Sequence, residues 1–428
     1  MGQLHITGGI VPHGSVKVSG NKNAALPMLS AALLTGDKVT LRNMPDILDV
    51  RTMMDIIRAL GGKVEFADNV AVIDASTISS GTIPRELCAK ARTSILFAAP
   101  LTARLGEAKL YPPGGDVIGR RRLDGHFYGL EKLGAKLECS DNAYCFTLPQ
   151  KKLYGRDLFL DEASVTATEQ IMMAAVLAEG HTTLLNAACE PHVVELGEML
   201  NSMGAWISGL GSNTIEIDGV QELHGCDFTI AGDHIEAGSF LALGAALGGE
   251  LEIQGTLPRH YWMLRRVFER FNIEMTLNAD HILLPGGQQL KVKQDFGGHI
   301  PVISDGPWPQ YPSDMMSCTV VMATQAEGCA LFFEKMFESR LYFVDRLIDM
   351  GANAIVCDPH RVVISGPSRL HGSVMSSPDI RAGMAMVIAG LCAEGNSIIK
   401  SSEIIYRGYA NLVEKLQNLG LEVREISQ

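Results

Sequence analysis

Between Tyr111 and His126 the chain reads YPPGGDVIGRRRLDGH, a Pro-Pro-Gly-Gly turn followed by one acid, Asp116, and three arginines at Arg120, Arg121 and Arg122. Consecutive glycines let a backbone turn tightly and approach a ligand closely, and clustered guanidinium groups grip phosphate or carboxylate through forked hydrogen bonds. Such a loop suits an active site that binds an anion. The same composition also describes a basic surface turn, and the loop by itself leaves the two readings level.

Other polar residues recur at one kind of position. Lys22 and Asn23, Arg92, Ser164, Asp233 with Glu236, Asp314, and Asp379 with Arg381 each stand at or near the start of a long apolar segment. If those segments are helices, their first turns offer free backbone N–H groups and the positive end of a dipole, a setting suited to anions. Asp and Ser also cap helices routinely, and capping accounts for any one of the acids. It does not account for Lys22, Arg92 or Arg381, because a cation at a helix N-terminus opposes the dipole. Two such faces opposed across a cleft would enclose a phosphorylated substrate with acids and bases at hand.

The elements that must position these residues repeat six times. Apolar segments run to Gly36, Gly106, Gly180, Gly249, Gly328 and Gly395, of which SDMMSCTVVMATQAEG shows the type. Each is apolar nearly all round and stops at a glycine, which marks a buried helix. Between them lie amphipathic segments such as VRTMMDIIRALGGKVEF and YFVDRLIDMGANAIV, which read as half-wet helices passing through a Gly or Asn turn into a strand. Short β-branched stretches, Lys38 to Leu41, Thr182 to Leu185, Ser397 to Ile399 and Arg361 to Ile364, supply further strands. The glycine stops recur about every 70 residues, too long for a helical solenoid repeat and too helical for a propeller blade. Six βαβαββ units follow, and a single ring of six would make a very large core, so three plus three is expected. That predicts an α/β protein of two similar domains, residues 1–21 with 231–428 and residues 22–230.

Composition bounds the function. With 428 residues, a net charge of −12 and 46% hydrophobic residues, the chain has ample material for its cores and lacks the broad basic face of a general nucleic-acid binder. No basic stretch leads into an apolar signal core, and no apolar run nears the roughly 18 residues of a membrane helix, so a soluble cytoplasmic protein is expected. Nine cysteines, an odd number, show no CxxC pairing and no histidines at zinc spacing, which points to reduced thiols and no metal site. Small-molecule substrates are the expected partners, with no nucleic acid and no membrane.

Taken together and in order, Ser19 to Leu34 (SGNKNAALPMLSAALL), the PGGDVIGRRRLDGH loop, Ala187 to Leu200 (AACEPHVVELGEML), Tyr311 to Met316 (YPSDMM), Phe333 to Arg340 (FEKMFESR), Ser377 to Gly383 (SPDIRAG) and Tyr406 to Leu412 (YRGYANL) resemble the enolpyruvyl transferases nearly end to end. The KNAALP and PGGDVIGRRRLD stretches are similar to the branch that acts on a nucleotide sugar. The resemblance implies two inside-out α/β barrel domains, each of three βαβαββ-type repeats, and no cofactor. It further implies that the enolpyruvyl group of phosphoenolpyruvate moves to the 3-hydroxyl of UDP-N-acetylglucosamine by addition and elimination, with release of phosphate. That reaction is the first committed step of peptidoglycan precursor synthesis.

Residue roles follow from the same resemblance. Lys22, Asn23, Arg121, Arg381 and Arg407 match the residues that bind phosphoenolpyruvate. Asn23, Arg92, Arg121, Arg122, Leu123, Asp124, Gly125, Ser164, Val165, Asp314 and Met336 match those that bind the nucleotide sugar, Met336 through its backbone. His126, Glu190, Asp233, Glu236, Arg340 and Asp379 support them. Lys22, Arg407, Asp116 and Asp314 are the expected catalytic residues, Asp314 as base beside the accepting hydroxyl and Asp116 as proton donor. Asp116 stands where many relatives carry a reactive cysteine, so the thiolate that fosfomycin alkylates is absent from that position. Three further departures bear on the acceptor: Glu162 where a lysine is frequent, His234 in place of an arginine and Leu96 in place of a tryptophan. Arg122, where proline is common, offers a cation against Glu162. These departures leave open a transferase acting on another acceptor, such as a free nucleotide. A non-catalytic relative is the remaining alternative, against which stands the joint retention of Lys22, Asp116, Arg121, Asp314 and Arg407.

Overall fold

The computed structural model of the protein describes residues 2–115, 118–119 and 122–427. Asp116, Arg120 and Arg121 lie outside the described residues, so the expectations placed on them have no structural counterpart here.

One repeat shows how the sequence builds the rest. Strand Val302–Ser304 leads to helix Ser313–Thr324, strand Gly328–Phe333, helix Val344–Asp349 and the strands Ala354–Asp358 and Arg361–Gly366. The first two strands pair in parallel across the helix, and the last two form an antiparallel hairpin that returns beside Gly328–Phe333, so Val302, Leu331, Val363 and Ile355 stand in one row. Helix Ser313–Thr324 buries every residue but Asp314, whereas Val344–Asp349 buries only Val344 and Leu347. That difference is the one between all-round apolar and amphipathic sequence.

Among the described residues the strands form six separate sheets, five of four strands and one of three, none of them closed on itself. Three sheets take a strand from far away in sequence. Strand Gly2–Thr7 sits between Asn396–Lys400 and Val423–Ser427, His13–Lys17 lies parallel to Glu250–Gln254, and Asp227–Thr229 lies parallel to Val39–Arg42. Residue contacts divide the chain into two units, Met1–Ser19 with Gly232–Gln428 and Gly20–Gly115 with Arg121–Ala231, and the described loop residues Ile118 and Gly119 group with the first.

In the first unit the apolar helices His234–Leu247, Ser313–Thr324 and Ile380–Cys392 touch one another. Gly238 permits one of these approaches, since a Cβ there would lie 2.3 Å from Met315 Cε. In the second unit Val165–Ala175 touches both Lys22–Ala31 and Ala98–Leu105. Truncating a fully buried side chain in such a cluster, Phe240 for example, would cost about 3–5 kcal/mol. The helix expected from Arg92 onward divides into a 3-10 segment, Arg92–Phe97, and an α-helix, Ala98–Leu105. Pro100 supplies the reason: without an N–H it cannot bond to the Leu96 carbonyl, so the preceding turn closes with the tighter pattern. Among the described residues no helix is long and apolar enough to cross a membrane.

Candidate active site

In the first unit the helix starts carry most of the expected acids. Asp233 and Asp379 cap their helices: Asp233 accepts from the N–H groups of Ile235 and Glu236, and Asp379 accepts from those of Arg381 and Ala382. Asp314 makes a different use of the same position. Its Oδ1 pairs with Arg340 Nη2 at 2.9 Å and its Oδ2 with Arg381 Nη2 at 2.9 Å. Arg381 is buried, its guanidinium lies 5.5 Å from the Tyr409 ring centre, and its Nη1 has no hydrogen-bond partner among the described residues. Glu236 pairs with Lys415 and accepts from Ser19 N–H, which ties the first strands to this helix. Arg407 ends the 3-10 segment Ser402–Arg407 and is half-buried.

The turn after strand Gly328–Phe333 holds Met336, whose N–H donates to Glu334 Oε1 at 3.1 Å. A backbone contact from Met336 to a ligand therefore falls to its carbonyl. Glu334 and Asp305 are both fully buried, and neither was expected from sequence. Burial and the adjacent hydrogen-bonding Asp305 push the Glu334 carboxyl up to about 8, against the opposing pull of Arg340 and Ser313. His234 is buried against the rings of His260 and Trp308. Burial first, then His260 and Arg381, lower its pKa to about 3, so this replacement for an arginine is neutral at physiological pH.

In the second unit Lys22, the first residue of helix Lys22–Ala31, meets Asp49 Oδ2 at 2.8 Å, and the Asn23 N–H is held by the Asn21 side chain that caps the helix. Arg92 Nη2 donates to the Arg122 carbonyl at 3.1 Å, and Arg122 Nε reaches Asp124 at 2.6 Å. The end of the loop is thereby anchored to Arg92. Leu123 immediately precedes helix Asp124–Lys132, and Gly125 lets that helix approach Val165–Ala175, since a Cβ there would lie 3.1 Å from Ala167 Cβ. His126 bridges the same helices, with Nδ1 2.6 Å from Gln170 Oε1 and Nε2 3.0 Å from Thr166 Oγ1. Burial lowers its pKa to about 4, so it works as a neutral hydrogen-bonding strut.

Ser164 precedes helix Val165–Ala175, where its side chain makes no cap hydrogen bond and its carbonyl accepts from Thr168. Glu190 occupies the equivalent place before helix Pro191–Ser202. Buried Glu169 is held well above the ordinary carboxylate range by desolvation and then by the charge of Glu190. Glu162 is exposed, and its charge acts on Arg122 alongside Asp124. Leu96 is fully buried. No group of three or more His, Cys, Asp or Glu side chains suited to a metal ion occurs among the described residues.

Residues 8–416 match the family model described as EPSP synthase (3-phosphoshikimate 1-carboxyvinyltransferase). The chain belongs to the EPSP synthase family. Within that family it is 51% identical over 421 residues to the UDP-N-acetylglucosamine 1-carboxyvinyltransferase of Borreliella burgdorferi, with 98% of each chain covered. It is 51% identical to the protein of that name from Treponema denticola, covering 99% of each chain, and 49% identical to that from Bradyrhizobium diazoefficiens, covering 100% of this chain and 98% of the other. Two solved structures share the fold at low identity. The enolpyruvyl transferase NikO from Streptomyces tendae superposes with a TM-score of 0.87 at 23% identity, covering 100% of this chain and 99% of its own. EPSP synthase from Acinetobacter baumannii superposes with a TM-score of 0.79 at 17% identity, covering 100% of both. The α/β architecture is thus the enolpyruvyl transferase fold that EPSP synthase family members adopt.

Of the family-derived site residues, Asp314, Arg381 and Asp379 stand at neighbouring helix starts and Arg340 reaches Asp314 from the 335–340 turn, while Arg92, Arg122, Asp124 and His126 gather in the other unit. Asp49, Asp305, Glu334 and Glu169 were missed. The signal for Asp49 was present in the sequence: it lies four residues before Met53, on the dry face of its helix, where a lone carboxylate needs a cation.

Proposed function

We propose that the protein transfers the enolpyruvyl group of phosphoenolpyruvate to the 3-hydroxyl of UDP-N-acetylglucosamine, in the cytoplasm, as the first committed step of peptidoglycan precursor synthesis. Identity of 51% over 98% of the chain to enzymes carrying that name carries the reading.

In the addition step Asp314 accepts the proton of the sugar hydroxyl as its oxygen bonds to C2 of phosphoenolpyruvate, while Asp116 delivers a proton to the methylene carbon. In the elimination the new methyl group returns a proton to Asp116, the C2–O bond to phosphate breaks as the enolpyruvyl double bond forms again, and the leaving phosphate carries off the proton held by Asp314. Atoms and charge balance without an external oxidant or reductant. Lys22, Asn23, Arg121, Arg381 and Arg407 hold the phosphate and carboxylate of phosphoenolpyruvate, which guanidinium groups do in a forked geometry. Arg92 and the stretch from Arg122 to Gly125 hold the nucleotide, with Ser164 and Val165 at the diphosphate and Met336 at the sugar nucleotide. Arg122 offsets the charge that Glu162 would present to the diphosphate.

The test is phosphate release from phosphoenolpyruvate with UDP-N-acetylglucosamine, run beside UMP and shikimate 3-phosphate. Release with the nucleotide sugar alone is expected, and release only with UMP or shikimate 3-phosphate would overturn the assignment.

A further inference from the structure

Three successive backbone N–H groups, from Lys335, Met336 and Phe337, end on two buried carboxyl groups. Lys335 N donates to Asp305 Oδ1 at 2.6 Å, and Met336 N and Phe337 N both donate to Glu334 Oε1 at 3.1 Å. The Ser313 hydroxyl reaches the same Glu334 carboxyl from the start of the helix that carries Asp314, at 2.9 and 3.0 Å. Asp305 Oδ2 is buried and has no hydrogen-bond partner among the described residues, and the neighbouring Asp305 carboxyl raises that of Glu334 through hydrogen bonding and charge. Two ionised carboxylates would turn acceptor against acceptor there, in a place that water does not reach. One proton between them satisfies Oδ2, leaves Glu334 Oε1 to accept from the turn, and removes one of two buried charges.

The contacts continue from this pair to the proposed base. Arg340 N donates to the Phe337 carbonyl at 3.3 Å, and Arg340 Nη2 holds Asp314 Oδ1 at 2.9 Å. Glu334, Ser313, Asp314, Arg340 and the turn therefore form a closed ring. We propose that Asp305 and Glu334 are a positioning pair for the acceptor side of the site, sharing one proton that latches the 335–340 turn and so fixes Arg340 and Asp314. The inference rests on the function proposed above. Other charged groups around the pair leave this role to it. Lys335 Nζ reaches outward to Ser304 Oγ, His360 Nδ1 meets the Glu334 backbone carbonyl, and Arg340 spends Nη2 on Asp314. Loss of the shared proton would put a second negative charge into the ring beside Asp314.

Glu334→Gln tests the latch, because a glutamine amide donates to Asp305 at every pH while its oxygen still accepts from the turn. For the wild type, kcat/KM for the nucleotide sugar is expected to fall about tenfold between about pH 7 and pH 9 around the Glu334 titration near 8. Glu334→Gln should stay within about twofold over that range, with the wild-type loss appearing mainly in KM for the nucleotide sugar. Asp305→Asn, which also supplies a permanent donor, should flatten the profile likewise. The double variant, with two amide N–H groups face to face, should lose far more activity than the singles combined.

An alkaline fall of equal size in wild type and both single variants would overturn the proposal, as would failure of both to fold. Thermal melting separates this from the function reading because it needs no substrate. The raised Glu334 pKa contributes stability that is complete below the ordinary glutamate range and lost as pH rises through about 8. The Tm of wild type should therefore fall relative to Glu334→Gln between about pH 5 and pH 8, and then level. A constant difference would refute the shared proton, whereas absent phosphate release in wild type would refute only the function.

Discussion

Arg381 approaches Asp314 with two nitrogens at one oxygen, Nε at 3.0 Å and Nη2 at 2.9 Å from Oδ2. With Arg340 on the other oxygen, the carboxylate cannot turn without breaking charged hydrogen bonds. Both arginine side chains are nearly fully buried, at 3% and 5% exposure, so their charges are poorly screened by solvent. If Asp314 is the base, as proposed, it is already oriented when the hydroxyl arrives, which removes an entropic part of the barrier.

Asp314→Asn should therefore lose turnover by about 10²- to 10⁴-fold, because the amide can hold the hydroxyl but cannot take its proton. The change in affinity for the nucleotide sugar should be much smaller. The variant also removes the negative partner of two buried arginines, at a cost of up to about 3 kcal/mol. Steady-state kinetics beside a denaturant melt checks both effects, and unchanged turnover in a folded variant would exclude Asp314 as the base.

Lys22 and Asp49 form the corresponding pair in the other unit, at 2.8 Å with side chains only 10% and 8% exposed. The carboxylate fixes where the ammonium can point. Asp49→Asn should raise KM for phosphoenolpyruvate more than it lowers kcat, with a stability loss of about 1–3 kcal/mol for the weakened charged contact. Asp49→Glu should recover part of the binding. If KM for phosphoenolpyruvate did not move, Asp49 would be structural only.

Glu169 predicts a stabilising substitution. Its folded pKa is raised, by burial and then by Glu190, so the stability due to its bound proton is present at low pH and lost as pH rises through the folded value. Glutamine keeps the neutral form at all pH values. The melting temperature of Glu169→Gln should exceed that of wild type at about pH 8, and the gain should shrink toward about pH 5. A gain independent of pH would point to packing instead of ionisation.

Legibility in the sequence divides along a physical line. The six apolar segments were readable because a helix buried on all sides carries no polar face, and Ser313–Thr324 and His234–Leu247 behave accordingly. Charges at their starts were readable as well, yet sequence alone does not separate a capping acid from a reacting one. Asp233 and Asp379 turn their side chains onto backbone N–H groups, and Asp314 turns its own onto arginines. The partners were illegible because packing of distant segments creates them: Ser313 and Glu334 stand 21 residues apart, and Lys335 and Asp305 stand 30 apart. Nothing in local periodicity encodes such a meeting.

Asp116 carries the last prediction. It lies outside the described residues. Under the proposed reaction, protonation of the methylene carbon of phosphoenolpyruvate needs an acid, and at the position where the family resemblance implies a thiol the sequence has Asp116, a carboxyl group. An ordinary aspartate has a pKa of about 3.9 against about 8.5 for a thiol, so the bound anion and exclusion of water must raise it before it can donate at neutral pH. Arginines of the same loop, if close to it, would pull the other way, and activity at neutral pH requires the anion and desolvation to prevail. Fosfomycin inactivates by alkylating a thiolate, and a carboxylate is a far weaker nucleophile. The wild type should therefore keep its activity through prolonged incubation with fosfomycin, Asp116→Cys should stay active and become sensitive, and Asp116→Asn should lose turnover. Progressive inactivation of the wild type would show that another group reacts, and a fully active Asp116→Asn would remove Asp116 from the proton transfer altogether.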